Sequence, residues 1–318
     1  MDEAAWRIAE KVQALSDIEL AVLVCLVTDQ HCILETEKEL LDGLEQELWI
    51  IASDVFGLTC SVLNCSENTT LDDFGHGILV KEDGDDNFNS KGGELKDDLI
   101  RGKRNFTRTA VYAAPKPFLF IALNIGGTAR LTTHLNDQFF ISHNHQADDG
   151  LPNLEDHQID EPISDDDAST TSVVRTSPLL LQKRPSPSLI FSQDDISKLT
   201  ALTAEVKISS EVRAYLHNIV VFMRLHRAVA GGISAMATRH FDTLAHALAP
   251  LHGLTYISPS LVALAARKIY PHRIMITSPE NERSMQWGSS LEAVKAVLEG
   301  VTVGDVIEEV LQSVDVPL

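Results

Sequence analysis

Phe118-Leu119-Phe120-Ile121-Ala122-Leu123 is an apolar run that stops on a polar amide, Asn124. A run this short and this apolar reads as a strand buried on both faces, which needs parallel neighbours and covering helices. After a short helical segment the chain reaches Asp137-Gln138-Phe139. The sequence around this stretch must therefore build a layered α/β domain.

The flanking pattern agrees. Apolar positions Trp6, Ile8, Val12 and Leu15 predict a helix over 3–15, and Ser16-Asp17 caps a second over 18–28 with a wide apolar face. Strands are expected at 31–34, 59–64, 78–80, 109–113 and 118–123, with a helix over 37–54. Strands alternating with helices across 31–141 imply a largely parallel sheet. His143-Asn144-His145, next to an acidic stretch, reads as loop histidines rather than metal ligands, and no confident metal site is expected.

Residues 148–167 hold nine acidic side chains and no Lys or Arg, and Ser, Thr and Pro follow up to 195. This composition predicts a disordered linker over 146–195, between a core at 1–145 and a helical unit at 196–318. Within it, Ser177-Pro178 and Ser186-Pro187 beside Lys183-Arg184 fit proline-directed kinase sites and an unmodified tether equally well.

In the helical unit, Ser209 and Ser210 cap a helix with Val212, Leu216, Ile219, Val220 and Met223 on one stripe. A second helix presents Phe241, Leu244, Ala245 and Leu248. Ser258-Pro259 opens a third that Pro271 ends, and short helices follow near 291–298 and 304–314.

Composition narrows the function. The net charge of −20 repels nucleic-acid phosphate, so no nucleic-acid partner is expected. No run of 18 apolar residues exists, and the first residues lack the form of a signal peptide, so no membrane span and an intracellular, cytoplasmic location are expected. Cys25, Cys32, Cys60 and Cys65 have no C-x-x-C spacing and read as free thiols. On the same grounds the N-x-S/T matches at Asn64, Asn68 and Asn105 read as chance.

A phosphate cradle needs a strand, a glycine-rich turn, then Lys and Ser or Thr opening a helix. The strand His31-Cys32-Ile33-Leu34-Glu35 is present, but it continues Thr36-Glu37-Lys38-Glu39-Leu40-Leu41-Asp42-Gly43. No Gly precedes Lys38, no Ser or Thr follows it, and three carboxylates stand where the anion would bind. A metal-binding acidic pair would close another strand. Ile78-Leu79-Val80-Lys81-Glu82-Asp83 supplies Glu82 and Asp83 behind a lysine, with the longer Glu first, a poor match to Mg²⁺ geometry.

Together these segments resemble the AAA+ ATPases, in particular the MoxR and magnesium-chelatase small-subunit branch. Members carry H-x-L-L-E before the P-loop, a sensor-1 Asn after a buried strand, and Asp-Arg-Phe with the arginine finger. The lid likeness rests on Gly232-Ile233-Ser234-Ala235 with Thr238-Arg239-His240, on Gly253-Leu254-Thr255-Tyr256-Ile257-Ser258-Pro259-Ser260-Leu261-Val262, and on Tyr270-Pro271-His272-Arg273-Ile274.

The resemblance implies a P-loop-NTPase-like parallel sheet followed by a separate all-helical AAA lid. It implies Asn124 as sensor 1, Arg239 as sensor 2, Glu82 and Asp83 as the Walker-B pair, and Lys38 as the remnant of the P-loop lysine. ATP and Mg²⁺ are the cofactors where the family activity is retained, and protein partners, AAA+ homo- or hetero-oligomers among them, are implied.

Gln138 replaces the arginine finger, and a neutral amide cannot supply a charge worth about 10³–10⁵ in rate. Arg130 is the stand-in, a helical segment away. The residues favour a non-hydrolysing scaffold or regulator. The alternative is a working ATPase of MoxR or magnesium-chelatase type that remodels a partner or supports Mg²⁺ insertion into a porphyrin. A third is an interaction module unrelated to nucleotides.

Overall fold

The computed structural model describes residues 8, 10–66, 68–69, 117–126, 131–155 and 190–317. The expected strands at 78–80 and 109–113, Glu82, Asp83, Arg130, Ser177 and Ser186 lie outside the described residues.

The elements run α1 (Asp17–Thr28), β1 (Cys32–Thr36), a 3₁₀ turn (Lys38–Leu40), α2 (Leu41–Ile50) continued by a π turn (Ile51–Val55), β2 (Ile121–Ile125), α3 (Thr133–Asn136), β3 (Ile141–Asn144) and a 3₁₀ turn (Ala147–Asp149). The C-terminal part adds α4 (Gln193–Glu205), α5 (Ser210–Leu225), β4 (Val229–Gly231), α6 (Ala235–Leu251), α7 (Pro259–Ile269), β5 (Met275–Ile276), α8 (Leu291–Leu298) and α9 (Val303–Ser313).

The three core strands pair in parallel in the order β2-β1-β3. Glu35 stands opposite Asn124 on one side and Asn144 on the other. The apolar run thus becomes a strand later than the sequence suggests. Pairing with β1 extends to Thr36 opposite Ile125, and the Gly126 N–H then donates to the Thr36 carbonyl at 2.8 Å. Asn124 therefore lies within the strand rather than after it. Residues 59–64 form no strand. They are largely exposed, and a strand without a partner leaves its backbone groups unpaired.

α1 is the hub. Ser16 and Glu19 form a reciprocal capping box at its start. Ile18 and Ala21 through Val27 are all buried, so the helix is apolar all round rather than on one face. One side meets β1 and β3, and the other meets α4 and α6. Each fully buried aliphatic side chain here contributes about 1.5–3 kcal/mol.

The helical part forms as its patterns predict. The Ser209 hydroxyl caps α5, and Val212, Leu216, Ile219, Val220 and Met223 are its buried stripe. Ser234 caps α6, and Ser258 with Pro259 opens α7. The helical unit also carries a short antiparallel pair, β4 with β5. Its apolar core continues into α1, running from there through α4, α5, α6, α7 and α9.

Two stretches of the expected linker carry defined structure. The 3₁₀ turn at Ala147–Asp149 is followed by a helical turn over 152–155. Buried Glu47 accepts hydrogen bonds from the Asn153 N–H (3.1 Å), the Asn153 side chain (2.7 Å) and the Leu154 N–H (2.7 Å), while Glu19 accepts a second one from that side chain at 3.2 Å. At the far end Phe191 is fully buried and α4 begins at Gln193. Among the described residues no helix is long and apolar enough to cross a membrane.

Candidate functional site

In open parallel sheets ligands bind beyond the carboxyl ends of the strands. A cavity of about 420 Å³ lies there. Its floor is Glu35 of β1, Asn124 of β2, and Ser142, His143 and Asn144 of β3. Asp17 at the start of α1 and Asp149 add carboxylates, while Arg267, Lys268 and His272 enter from the helical part.

Each wall has a local cause. Register alone places Asn124 beside Glu35 and Asn144. The Asp149 carboxylate is held by the Gln146 N–H at 2.8 Å in a small capping box. Arg267 is engaged by Glu308 of α9, at 2.6 Å from Nε and 2.9 Å from a terminal nitrogen, and this pairing raises its pKa. Burial lowers the pKa of His143, and Lys268 adds to that effect against the opposing pull of Asp17 and Asp149. His143 is accordingly a neutral imidazole at pH 7.

The chain turns into a helix directly after β1. β1 ends at Thr36, and only Glu37 separates it from the 3₁₀ turn that begins at Lys38. No side chain caps that turn or the start of α2. Lys38 is exposed, together with Glu37 and Glu39. Gly43 serves packing instead: a Cβ there would come within 2.8 Å of the Leu151 side chain.

Arg239 is exposed on α6, and the cations that line the cavity are Arg267 and Lys268 of α7. Helical spacing could have suggested both, since they occupy the last turn of a helix starting at Ser258-Pro259. Gln138 is exposed. Its neighbour Asp137 faces inward, accepting from the Ser234 hydroxyl at 2.8 Å and lying 3.4 Å from Arg273 Nε.

Arg273 is the residue that sequence reasoning passed over. It is only 3% exposed, and its guanidinium donates to the carbonyls of Phe139, Phe140 (3.0 Å) and Ile269 (2.6 Å) and meets His240 Nδ1 at 2.7 Å. Burial lowers its pKa to about 10, with Asp137 opposing the shift. The adjoining His272 carbonyl accepts from the Asn136 amide, and its ring approaches the Phe139 carbonyl at 3.3 Å. Burial, with Arg273 adding to it, holds the pKa of His272 well below the ordinary histidine value. The segment 136–140 is thus clamped by 272–273.

Gly232 makes this approach possible. Its φ is +100°, and a Cβ there would come within 1.9 Å of the Arg273 carbonyl oxygen.

Comparison with known proteins fits this arrangement. A family model described as the AAA lid domain matches residues 221–293. A crystal structure of a "putative ATPase" from Cytophaga hutchinsonii superposes with a TM-score of 0.64 at 16% identity, covering 99% of this chain and 96% of that one. The chain shares that structure's fold, and its segment 221–293 is similar to the AAA lid domain. At that identity the likeness is one of fold.

A curated relative, maintenance of telomere capping protein 2 from Lachancea thermotolerans, is 28% identical over 109 residues. That match covers 33% of this chain and only 38% of the relative's length. The cavity lies between the parallel sheet and α7, which falls within the segment similar to the AAA lid domain, and the 136–140 to 272–273 clamp joins the two.

Proposed function

We propose that this chain is a non-hydrolysing AAA+ scaffold or regulator, in which the fold is kept for the surfaces it presents to protein partners. The observation that most supports this is Glu37, the single residue between β1 and the following helical turn. A phosphate cradle needs a loop of about eight residues with glycines and a Lys-Ser/Thr pair at that point. Here Glu37 and Glu39 are exposed where an anion would sit. Gln138 removes the family's finger charge, and the partner Asp137 has become a docking point for the lid.

AAA+ partners, copies of this chain or relatives, belong to the proposal. The name of the Lachancea thermotolerans relative brings the maintenance of telomere capping into it as the process. A chain of net charge −20 is repelled by DNA, so this role would run through proteins.

A second reading, an ATP-binding enzyme of MoxR or magnesium-chelatase type, is favoured by the cavity. Its 420 Å³ lies within the range of small-molecule sites, and Asn124 and two lid cations line it. In that reading Asn124 orients the attacking water, Glu82 and Asp83 hold Mg²⁺, and Arg239 and Lys38 approach the phosphates.

Phosphate release from ATP with Mg²⁺ separates the two. The scaffold reading expects release equal to the protein-free blank for both wild type and Asn124→Ala. Turnover that Asn124→Ala lowers tenfold or more would establish the enzyme instead.

A further inference from the structure

We propose that His143, His145 and Asp149 form a binding site for a divalent transition-metal ion of the zinc class, independent of any nucleotide. His143 lies in β3 and His145 one residue past its end, where the His145 N–H still donates to the Glu35 carbonyl of β1 at 2.8 Å, so the two-residue spacing turns both rings to the same face of the sheet. The rings are 6.4 Å apart between centroids. The 3₁₀ turn at Ala147–Asp149 then folds the chain back and brings an Asp149 carboxylate oxygen to 3.8 Å from His145 Nδ1. One donor atom from each of the three residues lies within 4.8 Å of the other two.

Two features distinguish this group from a chance cluster of polar side chains. His143 and His145 are 6% and 2% exposed, so neither ring is a solvated loop residue. Among the described residues, His143 Nε2 and His145 Nδ1 have no hydrogen-bond partner. Buried ring nitrogens are almost always paired, and two neighbouring orphans facing a carboxylate call for a shared electrophile. A metal ion satisfies both at once.

The donor set indicates the ion. Two imidazoles and one carboxylate suit Zn²⁺ and its neighbours, whereas Mg²⁺ and Ca²⁺ prefer oxygen alone. Tetrahedral bonds of about 2.0–2.1 Å place donors about 3.3 Å apart, so small side-chain rotations would close the present spacing. The hydrogen bond from the Gln146 N–H to Asp149 Oδ2 already orients the carboxylate. His143 and Asp149 also line the cavity, which leaves a fourth position open to water or a ligand. Lys268 opposes a cation there and Asp17 favours one, both being close enough to His143 to influence it.

The test uses the full chain without nucleotide, stripped by a chelator and titrated with Zn²⁺ and Co²⁺. One ion per chain is expected, with the strong visible absorption of four-coordinate Co²⁺. Asp149 is 41% exposed, so Asp149→Asn leaves the fold intact, and it is expected to weaken Zn²⁺ binding at least tenfold. His145→Asn, checked by circular dichroism for folding, should abolish the Co²⁺ band. Failure of the folded wild-type chain to bind either ion overturns the proposal. Binding of unchanged affinity in Asp149→Asn overturns it equally, since the ion would then sit elsewhere.

Discussion

Arg273 of the lid lies 3.4 Å from Asp137 of the core, its side chain 1% exposed against 25% for the aspartate. The guanidinium's other hydrogens go to the carbonyls of Phe139, Phe140 and Ile269 and to His240, so a buried charge is held with its donors satisfied. Removing one side of such an arrangement costs far more than the pair contributes net, because what remains is buried and unpaired. Arg273→Ala is expected to destabilise the chain by about 3–5 kcal/mol in urea unfolding. Asp137→Asn should cost less, about 1–2 kcal/mol, since the Ser234 hydroxyl still finds an acceptor there.

Gly232→Ala tests the close approach in the same seam. The added methyl would meet the Arg273 carbonyl oxygen at 1.9 Å from a backbone at φ +100°. A loss of roughly 2–4 kcal/mol is expected, combining the clash with the positive φ. Thermal unfolding checks it, and an unchanged melting temperature would mean that the seam is not packed as described.

His272 sets a pH dependence. Its folded pKa is held well below the ordinary histidine value by burial and by Arg273. In the unfolded chain the ring titrates near 6.5, so below that pH the unfolded state binds a proton that the folded state refuses. Stability is therefore flat above about pH 7 and falls as pH drops through 6.5 toward the folded pKa. Denaturant midpoints at pH 7.5, 6.5 and 5.5 should fall in that order, and His272→Gln should flatten the upper part of the slope.

Glu47 ties residues 152–155 to the core. Glu47→Ala leaves the Asn153 and Leu154 N–H groups without their acceptor and is expected to cost roughly 2–4 kcal/mol. Hydrogen exchange at 151–155 should rise in the variant while exchange in α5 changes little.

The helical half was readable because its signals are local. Ser209 and Ser258 cap the helices that their sequence context predicts, and the stripe from Val212 to Met223 faces the core as spaced. The parallel sheet followed from the alternation of strands and helices, and its register placed Asn124 next to Glu35. What escaped was set by tertiary partners. His143 and His145 read as loop residues because an acidic run follows them, yet pairing with β1 draws His143 into a strand, and both rings are buried. The acidic stretch read as linker from residue 146, but Glu47 lies about a hundred positions earlier in the chain and no local pattern announces its bond to Asn153. Arg273 fell within a recognisable lid motif. Its partner Asp137 stands 136 positions earlier, and no local pattern marks it as the acceptor.

The scaffold reading requires an α/β core that holds no nucleotide phosphate. Titration of the full chain with a fluorescent ATP analogue and Mg²⁺ checks this. No saturable signal is expected up to millimolar nucleotide. Saturable micromolar binding that ATP displaces, weakened by Asn124→Ala or Lys38→Ala, would contradict it.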